Sequence, residues 1–471
     1  MKILNLLITT HIRTLKVQSL CSFLFLTLAF SGFSQEKLSF VFVGDVMQHD
    51  GQIEAAYNKA FGGGYEYDDG FKFIKPIINE YDFKIANLEV TLAGKPFKGY
   101  PQFSAPDDLA VTLKNTGFNV ILTSNNHSCD RGSKGVIRTL DKLDELGLVH
   151  TGTFRDKEER DANYPLILEE NGMKIAILNY TYGTNGLSVS KPLIINYIDS
   201  AVIRKDVERA QELNADYIIC NMHWGKEYRS LPDSYQEKWE AYCYIVGVDM
   251  VMGGHPHTVQ PIQKHLNKNN EEQLTVWSLG NFVSNMGTRP TRGGVMVGVD
   301  LEMKENKVQL GDVNYNLIYV LKKNEGAITQ YYILPDFDYN KFRPGFIDAK
   351  NIERKNFFFG DSRKLYKEQN IGTVESIISE DSPIGRLYQK YLTSYYAIEL
   401  KGTDPSLLSN KFMINTLSKT VDKRGQQHIL YGTYDSQMEA EMNLRFLNSC
   451  QISTEQNCVI VKDGRIEKVN H

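Results

Sequence analysis

The sequence predicts an α/β domain over most of its length, followed by a small α+β module at the C-terminal end. Three observations carry that expectation. Short apolar, β-branched runs recur between residues 36 and 300, helical patterns separate them, and the last stretch alternates strand-like and helix-like segments again. Runs of this length and composition read as buried strands. Their alternation with helices is the pattern of an α/β layer architecture.

The N-terminal segment stands apart. Residues before Ser34 include Lys2, Arg13 and Lys16 and no acid, then the apolar run "LCSFLFLTLAF" and the exit "SGFSQ". A basic start, a short apolar run and small residues predict a signal peptide over 1–34, cleaved near Ser34–Gln35. The protein is then exported to the periplasm or cell envelope. An uncleaved membrane anchor is the alternative, although the run is short for a span. Lipid attachment at Cys21 is disfavoured because Leu20 precedes it. Cleavage removes three positive charges and takes the net charge from −4 to −7. With that charge and no Lys/Arg run, nucleic acid is not an expected partner. At 42% hydrophobic residues the chain can bury a large core.

The strand-like runs end in chemically active residues. "LSFVFVGD" ends at Asp45, "FKIANLE" at Asn87 and Glu89, and "FNVILTSNNH" at Asn126 and His127. "DYIICNMHWG" delivers His223, "VDMVMGGHPH" delivers His255 and His257, and "LTVWSLGNF" delivers Asn281. Between them "GVIRTLDKLDEL" and "AVIRKDVERAQEL" have helical periodicity. Ligands of open α/β sheets gather at the carboxyl ends of strands. Singly, each residue has a plain structural explanation: Asp45 a cap, Asn126 a turn, His127 a satisfied polar group, Glu89 a surface charge. As a set at six strand ends they supply the oxygen and imidazole ligands that suit Mn, Fe or Zn. His255 and His257 are expected in an extended segment, where side chains two apart face one way. Pro256 stiffens it, and Gly253 and Gly254 permit a sharp turn or a close approach.

The cysteines are sparse and contain no CxxC, so a structural zinc site is not indicated. Cys220 reads as a small buried hydrophobe. Cys450 and Cys458 are close enough in sequence to pair in an exported protein. Residues 321–392, with "YYILPDFDYN" and "KNFFFGDSRK", read as a connector packing on the first domain, which is expected to span 36–320.

Taken together, "GDVM", "NLE", "NNHSCDRG", "HWGKEY", "GGHPHTVQP" and "SLGNF" stand in the order of the bacterial capsule-synthesis proteins of the CapA/PgsA type (poly-γ-glutamate biosynthesis). The chain resembles that family over about residues 38–300, and the family resembles calcineurin-like metallophosphoesterases. The resemblance implies a four-layer αββα domain with one or two divalent ions at the strand ends. It implies Asp45 as the first-strand ligand, Glu89 as the bridging carboxylate and Asn126, His223, His255 and His257 as further metal ligands, with His127 catalytic. One departure stands out. Many phosphoesterases carry a histidine where this chain has Met47, and His49 lies in the wrong phase to replace it. Trp224 is expected to pack, while Glu227 and Tyr228 shape the pocket; Asp130 and Arg131 are not ranked as catalytic.

In the tail, "YYAIEL", "QQHILYGTY" and "NCVIVKDGRI" read as strands, and "DPSLLSNKFMINTL" and "DSQMEAEMNLRFLNS" as helices. Residues 393–471 resemble, more weakly, SPOR-type modules, small βαββαβ sheets that bind peptidoglycan glycan strands; a generic α+β appendage is the alternative. Three function classes stay open: a metal-dependent phosphoesterase-type hydrolase acting on an envelope polymer or phosphate-containing substrate, a non-catalytic capsule-synthesis component with a relic metal site, and a peptidoglycan-binding adaptor.

Overall fold

A computed structural model of the chain describes residues 36–60, 63–325 and 328–400, and in the tail 417–421, 427–434, 437, 440–442, 444–445, 456–462 and 465–468. The expected signal peptide and Cys450 lie outside the described residues, and so does the proposed Cys450–Cys458 pair.

Two sheets face each other. The first has nine strands, with the path Ile328–Pro335, Lys307–Glu325, Gly293–Lys304, Lys37–Val46, Phe83–Leu88, Val120–Leu122, Val149–Thr151. Asn281–Val283 joins it beside Lys37–Val46, and Val374–Glu375 beside Lys307–Glu325. The second has six, in the order Ile262–Leu266, Glu272–Val276, Met250–Gly254, Tyr217–His223, Met173–Thr181, Leu166–Glu170. Side-chain alternation along the strands separates the layers. Phe40, Phe42, Ile85 and Val120 of the first sheet meet Ile175, Ile177, Ile219 and Met250 of the second in one core. The intervening Val41, Val43, Ala86 and Ile121 turn outward onto Ile74, Ile77, Leu109, Leu113 and Leu143. On the far side Ala176, Leu178, Ile218 and Val251 pack on Ile203, Val207 and Trp239. The order is helix, sheet, sheet, helix. Each fully buried Phe, Ile or Leu contributes about 1.5–3 kcal/mol, so a strand slipped by one residue would lose both faces at once.

The helices begin where their caps dictate. Ser200–Glu212 starts at Asp199, whose side chain accepts from Ala201 N and Val202 N. Ser234–Val246 starts with a reciprocal Asp233–Gln236 capping box and stops at Gly247.

The boundary expected at residue 320 falls inside a strand. Lys307–Glu325 runs through it and pairs with Ile328–Pro335, so the first sheet continues to Pro335. The helix Ala349–Gln369 follows, and its Phe358, Phe359 and Tyr366 enter the same core that lies between the sheets. Phe73 makes edge contacts with Tyr332, Tyr339, Phe346 and Tyr388, tying this segment to the first layer.

In the tail the described strands Ser394–Leu400, Gln427–Tyr434, Leu417–Val421, Arg465–Lys468 and Gln456–Lys462 pair in that order and close into a ring. Leu417–Val421 is a strand the sequence reading did not anticipate, and "NCVIVKDGRI" divides into two. The expected helix over 404–417 lies, apart from Leu417, outside the described residues.

Candidate metal centre

Strand register assembles the site. Asp45, at the end of Lys37–Val46, lies level with Asn87 on one neighbour and Asn281 on the other. In the second sheet His223 lies level with Thr181 and Gly254. Glu89 follows its strand by one residue and donates its backbone N–H to Val46 O at 3.1 Å. The two sheet ends meet because glycines let them. A Cβ on Gly44 would lie 1.9 Å from Gly280 O, one on Gly253 would lie 2.0 Å from Trp277 O, and one on Gly254 would lie 3.1 Å from Asp45 Oδ1.

The structure brings all seven sequence-predicted residues into one buried cluster. Asp45 and Glu89 are fully buried, and Asn126, His127, His223, His255 and His257 are 2 or 3% exposed. His257 Nδ1 lies 3.1 Å from Asp45 Oδ2 and 3.1 Å from Asn281 Oδ1. His223 Nε2 lies 2.8 Å from Asn126 Oδ1 and 3.5 Å from Glu89 Oε1. The rings of His223 and His255 are 4.9 Å apart.

His255 and His257 converge for a reason different from the one expected. The segment is not extended: their φ angles are 97° and 56°, in the left-handed region. Non-glycine residues are costly there, of order 1–3 kcal/mol each, and such strain collects at functional sites. The backbone turn, rather than strand alternation, aims both rings at Glu89.

Electrostatics follow from burial. Desolvation pushes His223 down to about 3 and His255 well below the usual histidine range, so both are neutral, the form that binds metal. Burial would raise the Asp45 carboxyl, but the hydrogen bonds with His257 and Asn87 outweigh it and hold it below the usual range. Glu89 goes the other way: burial first, then the Asp45 charge, push it well above 4.5.

The residues fit a divalent cation. Neither Glu89 oxygen has a hydrogen-bond partner, and neither does His255 Nδ1. A buried unpaired carboxylate costs several kcal/mol, and a cation offsets that cost. Two ligand groups lie within 4.8 Å, Glu89–His255–His257 and Asp45–Glu89–His223, and they share Glu89 as a bridging carboxylate would be shared. Met47 is not among them; it is buried in the outer core of the first sheet. His49 starts the helix Asp50–Lys59 and contacts Gln52 Oε1 at 3.2 Å and Asn285 N at 3.3 Å.

His127 stands at the edge of the cluster. Its Nδ1 lies 2.8 Å from Asp130 Oδ2, which also accepts from Phe103 N at 2.7 Å. Asp130 therefore orients His127, a role its position three residues on could have suggested. Sequence reasoning also omitted Asn87 and Asn281 from the site. Asn87 Nδ2 donates to Asp45 Oδ1 at 2.9 Å, and Asn87 Oδ1 accepts from Asn125 Nδ2 at 3.1 Å. Both residues end runs already noted, but only strand register reveals their partners. Trp224 packs on Trp277 with ring centroids 5.9 Å apart, as expected, and its Nε1 donates to Trp277 O.

The family model of the bacterial capsule synthesis protein PGA_cap matches residues 39–286. The chain belongs to this family. It is 26% identical over 290 residues to the capsule biosynthesis protein CapA of Bacillus anthracis, covering 59% of this chain and 67% of that protein. It is 27% identical over 281 residues to the PGA biosynthesis protein CapA of Bacillus subtilis (strain 168), covering 57% and 69%. Among solved structures, the Haemophilus influenzae NAD nucleotidase (NadN) aligns at a TM-score of 0.38 and 14% identity, over 75% of this chain and 60% of that one. The calcineurin-like phosphoesterase YfkN of Bacillus subtilis aligns at 0.34 and 11%, over 71% and 99%. The order of layers in this PGA_cap member rests on its own packing.

Proposed function

We propose that the chain is a metal-dependent hydrolase of the phosphoesterase type, working in the cell envelope during capsule synthesis on an envelope polymer or phosphate-containing substrate. The observation that carries the reading is Glu89, buried with both oxygens unpartnered and flanked by His223, His255 and His257. Asp45, Glu89, Asn126, His223, His255 and His257 would hold one or two ions of Mn, Fe or Zn. Such an ion supplies Lewis acidity and a nucleophile at neutral pH. The chain supplies the rest. Asn87 and Asn281 hold Asp45 and His257 in place. Asp130 Oδ2 accepts a hydrogen bond from His127 Nδ1–H, which leaves Nε2 as the nitrogen that would take a proton from the attacking water and return it to the leaving oxygen.

The test is metal content by mass spectrometry, with turnover of bis-p-nitrophenyl phosphate in added Mn²⁺. His127→Ala should keep its metal and lose about 10²–10⁴-fold in rate. Wild-type protein that carries metal but shows no turnover, while still supporting capsule production, would favour a non-catalytic component. The observation on that side is Met47, whose burial in the core withdraws one expected ligand.

Export rests on the basic and apolar N-terminal pattern, and the N-terminal mass of the mature protein tests it. No described helix is long and apolar enough to cross a membrane. Peptidoglycan binding by residues 393–471 rests on the tail's strand and helix order. Full-length chain and chain ending at residue 392 should differ in pull-down by amidase-treated sacculi; equal retention ends that reading.

A further inference from the structure

Two tyrosines stand at the mouth of the cluster, each attached to a ligand-bearing segment. Tyr182 directly follows Met173–Thr181, and its N–H donates to His223 O at 3.0 Å. Its ring lies 4.6 Å from that of His255. Tyr228 donates its N–H to Pro256 O at 2.8 Å, and its ring lies 6.3 Å from that of His257. Tyr228 has a φ of 64°, a conformation costly for an aromatic residue, so its direction is set by the fold at some expense. Yet the rings are not core: Tyr182 is 40% and Tyr228 52% exposed. Tyrosines held beside a catalytic cluster with their faces open to solvent suit a ligand that has both apolar ring faces and hydroxyl groups.

A hydrogen-bond acceptor stands beside them: Glu227 directly precedes Tyr228 and is exposed.

We propose that Tyr182, Tyr228 and Glu227 form a sugar subsite, so that the group presented to the metal centre is a phosphate carried on a sugar ring. The proposal rests on the metal-centre reading above. The tyrosine rings would pack on the C–H faces of the sugar, and Glu227 would accept from its hydroxyls.

The test is calorimetric binding of three probes to the metal-loaded full-length chain: glucose 1-phosphate, inorganic phosphate and tetra-γ-glutamate. Glucose 1-phosphate should bind at least about tenfold tighter than inorganic phosphate, and tetra-γ-glutamate more weakly than either. Tyr182→Ala with Tyr228→Ala should bring the first ratio close to one with metal content unchanged. Tyr182→Phe with Tyr228→Phe, which keeps the rings, should preserve most of it. Metal bound, phosphate bound and no preference for the sugar phosphate would overturn the subsite alone. Tighter binding of tetra-γ-glutamate would overturn it as well. A chain with neither metal nor phosphate binding would overturn the metal centre and the subsite together.

Discussion

Glu89→Gln separates the cost of the metal-free site from the gain on loading it. Both Glu89 oxygens are buried without partners, and burial with the Asp45 charge pushes the carboxyl well above 4.5. An acid raised in the folded state takes up a proton on folding. The metal-free protein therefore loses stability as pH rises from the unfolded value, by about 1.4 kcal/mol per pH unit, until the folded value is reached. For an unfolded value near 4.5 the loss at pH 7 is capped at about 3 kcal/mol. Glutamine carries no such cost. In chelator at pH 7, Glu89→Gln should be more stable than wild type by about 1–3 kcal/mol, and at pH 4.5 the two should be equal. Metal reverses the order. At one hundred times its dissociation constant an ion stabilises wild type by about 2.7 kcal/mol, while the variant, lacking the shared carboxylate, gains little. Guanidinium denaturation with and without chelator reads all four states. A variant less stable than wild type in chelator at pH 7 would show that something other than an ion stabilises the carboxylate.

Three further outcomes follow from the geometry. His255→Gly should be more stable than His255→Ala in chelator by about 1 kcal/mol, because a φ of 97° strains alanine and not glycine; equal midpoints would remove the strain argument. Gly44→Ala should cost about 3 kcal/mol or prevent folding, since its Cβ would meet Gly280 O at 1.9 Å; soluble protein with an unchanged denaturation midpoint would contradict the close approach. Asp130→Asn should slow turnover less than His127→Ala, and the double variant should be no slower than His127→Ala alone, because Asp130 acts through His127; additive losses would show an independent role.

Much of the site was legible because its chemistry is local. Asp45, Glu89, Asn126, His127, His223, His255 and His257 each close an apolar run, and a strand must end where its buried face ends. What the runs cannot show is which neighbour each will have. Asn87 and Asn281 become supports for Asp45 and His257 only through register between strands distant in sequence. The left-handed backbone at His255 and His257 was equally hidden, because nothing in "GGHPH" distinguishes an extended segment from a turn strained by its surroundings. The fold shows the same division. Alternation at Phe40 to Val43 predicts two buried faces, and the structure fills one with the second sheet and the other with helices. The long strand Lys307–Glu325 ends in "LKKNE", whose charges give no sign that the chain turns back into Ile328–Pro335. In the tail, "NTLSKTV" is too short for its periodicity to separate strand from helix, and tertiary pairing decides.

Metal analysis of the purified protein decides whether Asp45, Glu89, Asn126, His223, His255 and His257 hold an ion. Wild type should carry one to two equivalents of Mn, Fe or Zn per chain, retained in His127→Ala and lost when His255 and His257 are both replaced by alanine. Folded wild-type protein that binds no divalent metal, even after incubation with each of the three ions, would contradict it.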